Sequence, residues 1–333
     1  MKIAILGATG MLGHHTALAL QAMGEELVVL HRAGSKLDRL SDLQFEARTA
    51  DADYPSADLA RVLAGVDVLI HAAAYYPPEP RAPKDDEAIA TAQMQRILDA
   101  CRQANCRLVY VGGAIALARR QDGQAADETQ SYSERPKHRS GYLLAKWRMD
   151  QMALAAAAAG QWVAIAIPAM TFGAFDYGPT TGRLIVGIAS GKFPRYLPGK
   201  RNVIDARDAG RGIALVATRG QSGQRYLLTG TNIDMRDLTG KIAKHAGMPA
   251  PKPAPLAVAT LIARFNHWRY RRFGGQKPDL DETALAIITA GQFLDGSKAK
   301  QALGFVAEHD PDAAIAYALT WFRSVGMLAA RTN

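Results

Sequence analysis

Cysteine is scarce in this chain, with only Cys101 and Cys106 among 333 residues. Their spacing at the end of an expected helix suits neither a disulfide framework nor a metal site, and it fits a reducing compartment. No stretch of about 18 or more apolar residues runs without proline, glycine or charge, so a membrane-spanning helix is not expected. Nothing at the start reads as a secretory signal, because Met1 to Leu6 passes straight into a glycine loop. A cytoplasmic protein is the expectation. Acidic residues are the minority, 31 against 40 Lys and Arg, for a formal charge of +9. Basic residues nevertheless occur along the whole chain without a DNA- or RNA-binding signature, so nucleic acid is not an expected partner and the charge suits anionic ligands and solubility. The densest basic cluster, Arg264 to Arg272 with His267, Trp268 and Tyr270 interleaved, follows an apolar stretch from Leu256 to Ile262. It reads first as a solvated helix end, and second as a contact with a membrane surface or polyanion.

What is present is core material and an alternating pattern. Hydrophobic residues make up 48% of the chain, enough for a large α/β unit carrying a smaller appended domain. Apolar strands are expected at Lys2–Leu6, Leu27–His31, Val66–His71, Arg107–Val111 and Val163–Ile167, with helical stretches between them. That alternation is the pattern of a doubly wound parallel sheet of Rossmann type. A polar stretch from Arg119 to Arg139 reads as a surface loop. Ser140 then opens an alanine-rich helix that stops at Gly160. A further strand is expected at Arg225–Thr229, and the remainder is mainly helical. The expected division is a dinucleotide-binding domain at residues 1–168 and 203–232, and a smaller, mainly helical substrate domain at 169–202 and 233–330.

Gly7, Gly10 and Gly13 follow the first strand directly and open an amphipathic helix. A tight turn, a backbone close enough to touch a pyrophosphate and a helix packed hard on its strand each call for glycine there. Exposed amides and the positive end of the helix would face the phosphates, with the Thr9 hydroxyl beside them. Gly7, Thr9, Gly10, Met11, Leu12 and Gly13 therefore form the expected cofactor loop. The second strand ends in His31 and Arg32 where an NAD site usually carries an acid. Arg32, with Ser35 and Lys36 behind it, favours the 2′-phosphate of NADP, and NAD stays open. Tyr142 and Lys146 lie four residues apart on one helix face. A phenol can give a proton to a carbonyl that receives hydride, and a neighbouring cation would favour its ionised form.

With those residues in place, the chain resembles the extended short-chain dehydrogenase/reductases, the NAD(P)-dependent epimerase/dehydratase group, and within it the dihydroflavonol reductase-like branch. The resemblance covers nearly the whole chain. It rests on LGATGMLG (Leu6 to Gly13), Asp51, HAAA (His71 to Ala74), LVYVGGA (Leu108 to Ala114), DET (Asp127 to Thr129), YLLAK (Tyr142 to Lys146), IPAMTFG (Ile167 to Gly173), NVIDARDAGRG (Asn202 to Gly212) and FLDGSKAKQALGF (Phe293 to Phe305). It implies that Asp51 meets the adenine, that Ala72, Ala73 and Ala74 line the cofactor, that Lys146 grips the nicotinamide ribose, and that Pro168 and Met170 lie beside the nicotinamide. A homodimer through the helices near Ile89 and Tyr142 is also compatible with it.

The chain departs from that pattern at two places. The fourth expected strand usually ends in a serine or threonine that hydrogen-bonds the reacting oxygen, and Gly113 stands there; an asparagine on the preceding helix is matched by Ala90. A hydroxyl from Thr129, Ser131 or Ser133, or a water, could fill the space beside Gly113. Otherwise the protein is a non-catalytic NADP-binding redox sensor. A 4,6-dehydratase is disfavoured, because Ala114, Ile115 and Ala116 offer no Asp–Glu pair. A nucleoside-diphosphate-sugar epimerase would use Arg183, Arg201 or Arg207 for the diphosphate. Reduction of a ketone or aldehyde, with Tyr142 as proton donor, fits better. Tyr75, Tyr76, Pro77 and Pro78 follow the third expected strand and are expected as an aromatic wall over a small-molecule substrate, and no metal is called for.

Overall fold

The computed structural model describes residues 1–329 apart from 74, 78, 80, 139, 276, 277 and 279. In its first half, β1 (Lys2–Leu6), α1 (Met11–Ala22), β2 (Glu26–His31), β3 (Glu46–Thr49), α2 (Ser56–Val62), β4 (Val68–His71), α3 (Pro83–Gln103), β5 (Arg107–Val111), α4 (Gly141–Ala158) and β6 (Val163–Pro168) follow one another. Then come β7 (Met170–Phe172), α5 (Arg183–Ala189), β8 (Arg195–Tyr196), β9 (Lys200–Asp205), α6 (Ala206–Arg219), β10 (Arg225–Leu228), β11 (Thr231–Asp234) and α7 (Met235–Ala246). The chain closes with β12 (Lys252–Pro253), α8 (Leu256–Phe273), α9 (Glu282–Thr289), α10 (Ser297–Leu303) and α11 (Pro311–Ser324).

Seven strands form one sheet in the order β10-β6-β5-β4-β1-β2-β3, and every neighbouring pair in it is parallel. Parallel strands need long crossovers, and the helices that supply them cover both faces, which is why β4 and β6 are buried along their whole length. The strand order reverses between β1 and β4, and a crevice opens there at the carboxyl edge. The expected strands are all present, with ends shifted by a residue or two. Within this sheet, the strand absent from the sequence reading is β3. Its residues, Glu-Ala-Arg-Thr, are almost all exposed at the sheet edge, so no apolar run marks it; pairing of Val28 through His31 with Glu46 through Thr49 fixes it instead.

A second, smaller sheet has the order β11-β9-β7. Its core gathers Phe172, Ile185, Leu238, Ile315 and Phe322. The packing departs from the expected division in the segment 294–305, where Leu294, Ala299, Leu303 and Phe305 join the larger core, and at its edges, where Ala169 joins the larger core and Val203 the smaller one. The segment around α10 thus returns to the main sheet, beside β10.

Helix α4 is fixed at both ends and at its middle. The Ser140 hydroxyl caps it by accepting from the Leu143 amide at 3.3 Å. Asp86 of α3 lies so close that a Cβ on Gly141 would meet its carboxylate oxygen at 2.0 Å. Further along, buried Asp150 pairs with buried Arg225 of β10, whose guanidinium also donates to the Glu128 carbonyl at 3.3 Å and the Ser131 hydroxyl at 2.8 Å. Removing one member of such a pair strands the other charge in the interior. Asp150→Ala is expected to cost about 3–5 kcal/mol of stability, read as a lower urea midpoint at unchanged slope.

Candidate functional site

The three loop glycines are required for three different reasons. Gly7 has φ +102°, and a Cβ on it would stand 2.7 Å from the Ala73 amide nitrogen. A Cβ on Gly13 would stand 2.1 Å from the Gly7 carbonyl oxygen, so α1 packs onto the loop backbone itself. Gly10 is different: a Cβ there would meet only the Gly7 oxygen, at an ordinary 3.5 Å. Protein packing does not exclude a side chain at Gly10, and the exposed position lies at the N-cap of α1, where no side chain caps the helix and no acid occupies the first turn. Amides at a helix N-terminus beside an exposed glycine with room for a close-lying ligand form a cradle that fits a diphosphate.

The remaining expected cofactor residues lie at the carboxyl ends of neighbouring strands. Arg32 is exposed just past β2, and Asp51 follows β3, where its carboxylate accepts from the Asp53 amide at 2.8 Å. Ala72 and Ala73 follow β4, and both amides donate to the Leu6 carbonyl at 2.9 Å. Ala74 and Pro78 lie outside the described residues. Pro168 ends β6 and Met170 starts β7. Thr9 and Leu12 are partly buried and Met11 is buried within the loop and first turn.

Tyr142, Lys146 and Gly113 meet at the end of β5. A Cβ on Gly113 would be 3.8 Å from the Tyr142 hydroxyl and 3.9 Å from Lys146 Cδ. The Lys146 ammonium lies 5.9 Å from the Tyr142 ring centre and 5.8 Å from that of Tyr110. Tyr76 faces Tyr142 with ring centres 5.0 Å apart. Burial lowers Lys146 to about 8. Burial, and then Tyr76, raises the Tyr142 phenol above its ordinary value. The phenol is held protonated, the state a proton donor needs. Sequence reasoning missed three neighbours. Tyr110 floors the lysine. His71 is fully buried with neither ring nitrogen partnered among the described residues, and burial and then Lys146 lower it to about 3. The charges of Asp281 and Arg183 act in opposite directions on Tyr76, whose phenol burial raises. Asp281 lies far along the sequence, and no local signal marks it.

Other expectations change with the geometry. Tyr75 is not part of an exposed wall: it is buried and its hydroxyl donates to Asp86 at 2.7 Å, pinning the loop to α3. Thr129 and Ser131 do not stand in for the absent hydroxyl, because Thr129 donates to Asp127 at 2.6 Å and Ser131 accepts from Arg225. Ser133 is exposed. Ala90 is fully buried in the core. Of the cations considered for a diphosphate, Arg201 is buried and donates to the carbonyls of Lys200 and Ile288, and burial lowers it to about 10. Arg207 is held by both oxygens of Asp205, at 2.9 and 2.7 Å, and lies over the Tyr317 ring. Arg183 stands at the start of α5, near Tyr76.

The chain is similar to several known proteins. The profile of the NAD dependent epimerase/dehydratase family matches residues 3–228. A Synechocystis protein named "Putative dihydroflavonol 4-reductase" is 29% identical over 331 residues, covering 97% of this chain and 94% of its own. Sterol demethylase protein B of Methylococcus capsulatus is 26% identical, covering 98% of this chain and all of its own. The crystal structure of a nucleoside-diphosphate-sugar epimerase from Pseudomonas aeruginosa is 40% identical, superimposes with a TM-score of 0.85 and covers 98% of this chain and 99% of its own. The protein is an NAD(P)-dependent enzyme with a Rossmann fold, and it belongs to the NAD-dependent epimerase/dehydratase family of extended short-chain dehydrogenase/reductases.

Proposed function

We propose that this enzyme reduces a ketone or aldehyde carbonyl with NADP as its cofactor and Tyr142 as the proton donor. The observation that carries the reading is the meeting of the Tyr142 hydroxyl and the Lys146 side chain at Gly113, on the carboxyl edge of β5. The dinucleotide, when bound, supplies the hydride. Gly7, Gly10 and Gly13 hold its diphosphate against the α1 amides, and Arg32, exposed with Lys36 nearby, suits the 2′-phosphate. Lys146 as ammonium grips the ribose. Tyr142 keeps its proton on the phenol oxygen until charge develops on the carbonyl oxygen, then transfers it there. Tyr76, tilted against Tyr142 and 42% exposed, borders the substrate side.

Epimerisation of a nucleoside-diphosphate sugar is the second reading, favoured by the 40% identity to the Pseudomonas aeruginosa protein. Against it, Arg201 and Arg207 are engaged within the protein, so two of the three cations weighed for a diphosphate are committed elsewhere. Assays of NADPH oxidation with ketones and aldehydes, set beside interconversion of nucleotide sugars, separate the two.

Tyr142→Phe is expected to abolish carbonyl reduction while NADPH affinity stays within about twofold; a variant that still turns over removes Tyr142 from the donor role. A second expectation concerns pH. Because burial lowers Lys146 to about 8, its ammonium is present below that pH and lost above it. NADPH affinity, followed by fluorescence titration, should be steady below about pH 8 and fall above it, and Lys146→Met should flatten the profile. A third concerns the absent hydroxyl. A Cβ on Gly113 makes only ordinary contacts, so Gly113→Ser should fold normally and raise kcat by about 10²-fold. An unchanged kcat would mean that another donor already serves the reacting oxygen.

A further inference from the structure

Helix α8 wears its apolar residues on the outside. Val258, Leu261, Ile262, Phe265 and Trp268 follow the spacing of three and four that marks one helix face, and all are exposed, Leu261 to 67%. Arg269 and Arg272 continue that face, and Phe273 beside them is 68% exposed. The rings form a patch of their own, with Phe265 to Trp268 at 5.9 Å and Trp268 to Phe273 at 5.8 Å between centres. The opposite side attaches the helix to the protein through small and polar groups. Ala259 and Ala263 are buried, Asn266 donates to the Leu280 carbonyl at 2.9 Å, and His267 lies 4.0 Å from Glu282 of α9.

The charge of this region is equally one-sided. From Leu238 to Pro278 the sequence holds eight Lys and Arg and no Asp or Glu, so nearly all of the formal +9 resides in one segment. The other 32 of the 40 basic residues lie along the rest of the chain, and it is the lack of acids that sets this segment apart. Two copies of the chain joined through α8 would bring like charges together. The aliphatic side chains Val258, Leu261 and Ile262 give nothing to a nucleic acid, whose affinity comes from phosphate contacts and stacking on rings. Apolar side chains with an aromatic cluster and arginines on one surface suit an interface that is negative outside and apolar just beneath.

We propose that α8 docks the enzyme on the surface of an anionic lipid bilayer, lying flat with its Val258–Phe273 face among the headgroups. The docking does not depend on which substrate the enzyme takes. With four arginines in 18 residues the helix lies on the bilayer and does not cross it.

Co-sedimentation of the whole protein with vesicles tests this. Binding to mixed phosphatidylcholine–phosphatidylglycerol vesicles is expected, with little binding to pure phosphatidylcholine and a blue-shifted Trp268 emission that Trp268→Phe removes. Each basic residue near an anionic surface accounts for roughly a fivefold change in binding. Arg269→Ala/Arg272→Ala should therefore weaken binding about 25-fold, and Phe265→Ser/Trp268→Ser should weaken it by at least as much. Both pairs are on the surface, so circular dichroism and NADPH affinity should stay as in the parent. The proposal is overturned by absence of binding to the mixed vesicles, by unaltered binding of both variants, by a dimer in gel filtration that Phe265→Ser/Trp268→Ser dissolves, or by single-stranded oligonucleotide binding in place of vesicle binding.

Discussion

The close approach of the glycine loop to the end of β4 is the constraint on which the site depends. Leu6, the last residue of β1, accepts hydrogen bonds from both Ala72 and Ala73, and Gly7 passes so near Ala73 that no side chain could stand there. That contact sits where the strand order reverses, so the helices after β1 and β4 leave on opposite faces and the edge between them stays open. Once the strands are parallel and in this order, everything that follows a strand arrives on the same rim. Arg32, Asp51, Ala73, Gly113 and Pro168 come from five different strands and end up along one edge. The second sheet and α5 bring Met170 and Arg183 to the same side.

Burial then sets the chemistry along that rim. Lys146 is pushed down and Tyr142 up for the same reason, the cost of placing charge where water is excluded. His71, beneath them, is lowered to about 3 by burial and then by Lys146, and under the proposed reading the lysine is the titrating cation and the phenol the proton reserve. A glycine at position 113 leaves the space over these two groups unfilled by protein. Its neighbours across the polar loop have other work: Ser131 and Glu128 complete the surroundings of Arg225, which with Asp150 ties α4 to β10. The loop that offered replacement hydroxyls thus fixes the helix that carries Tyr142.

Much of this was legible in the sequence, because it depends on local pattern. The loop glycines, the apolar strands and the Ser140 cap each follow from a few adjacent residues, and the Tyr142–Lys146 pair follows from helical spacing. What was not legible depends on partners distant in sequence. β3 carries no apolar run and exists through its pairing with β2. Tyr75 looks like its neighbour Tyr76 until Asp86 is placed beneath it. Arg201 and Arg207 read as cations available to a diphosphate until the carbonyls of 200 and 288 and the carboxylate of Asp205 are brought to them. Asp281 reaches Tyr76 only because α9 packs beside α4.

Helix α8 shows the same limit from the other side. Its sequence has the periodicity of an ordinary core helix, and periodicity alone says which residues share a face but not which way that face points. Here the face that meets the protein is the one with Ala259 and Ala263, and the large apolar side chains point away. They keep roughly half or more of their surface exposed after folding, so the apolar stripe of α8 is not explained by the core in the way that the stripes of α3 and α6 are. The helix is nonetheless close to the site. His267 acts on Asp86, the residue that holds Tyr75, and the α9 cap Asp281 acts on Tyr76. A surface that engages the outer face of α8 therefore lies one helix away from the loop that carries Tyr75 and Tyr76, and the contacts that join the two run through α8 and α9 rather than through the main sheet.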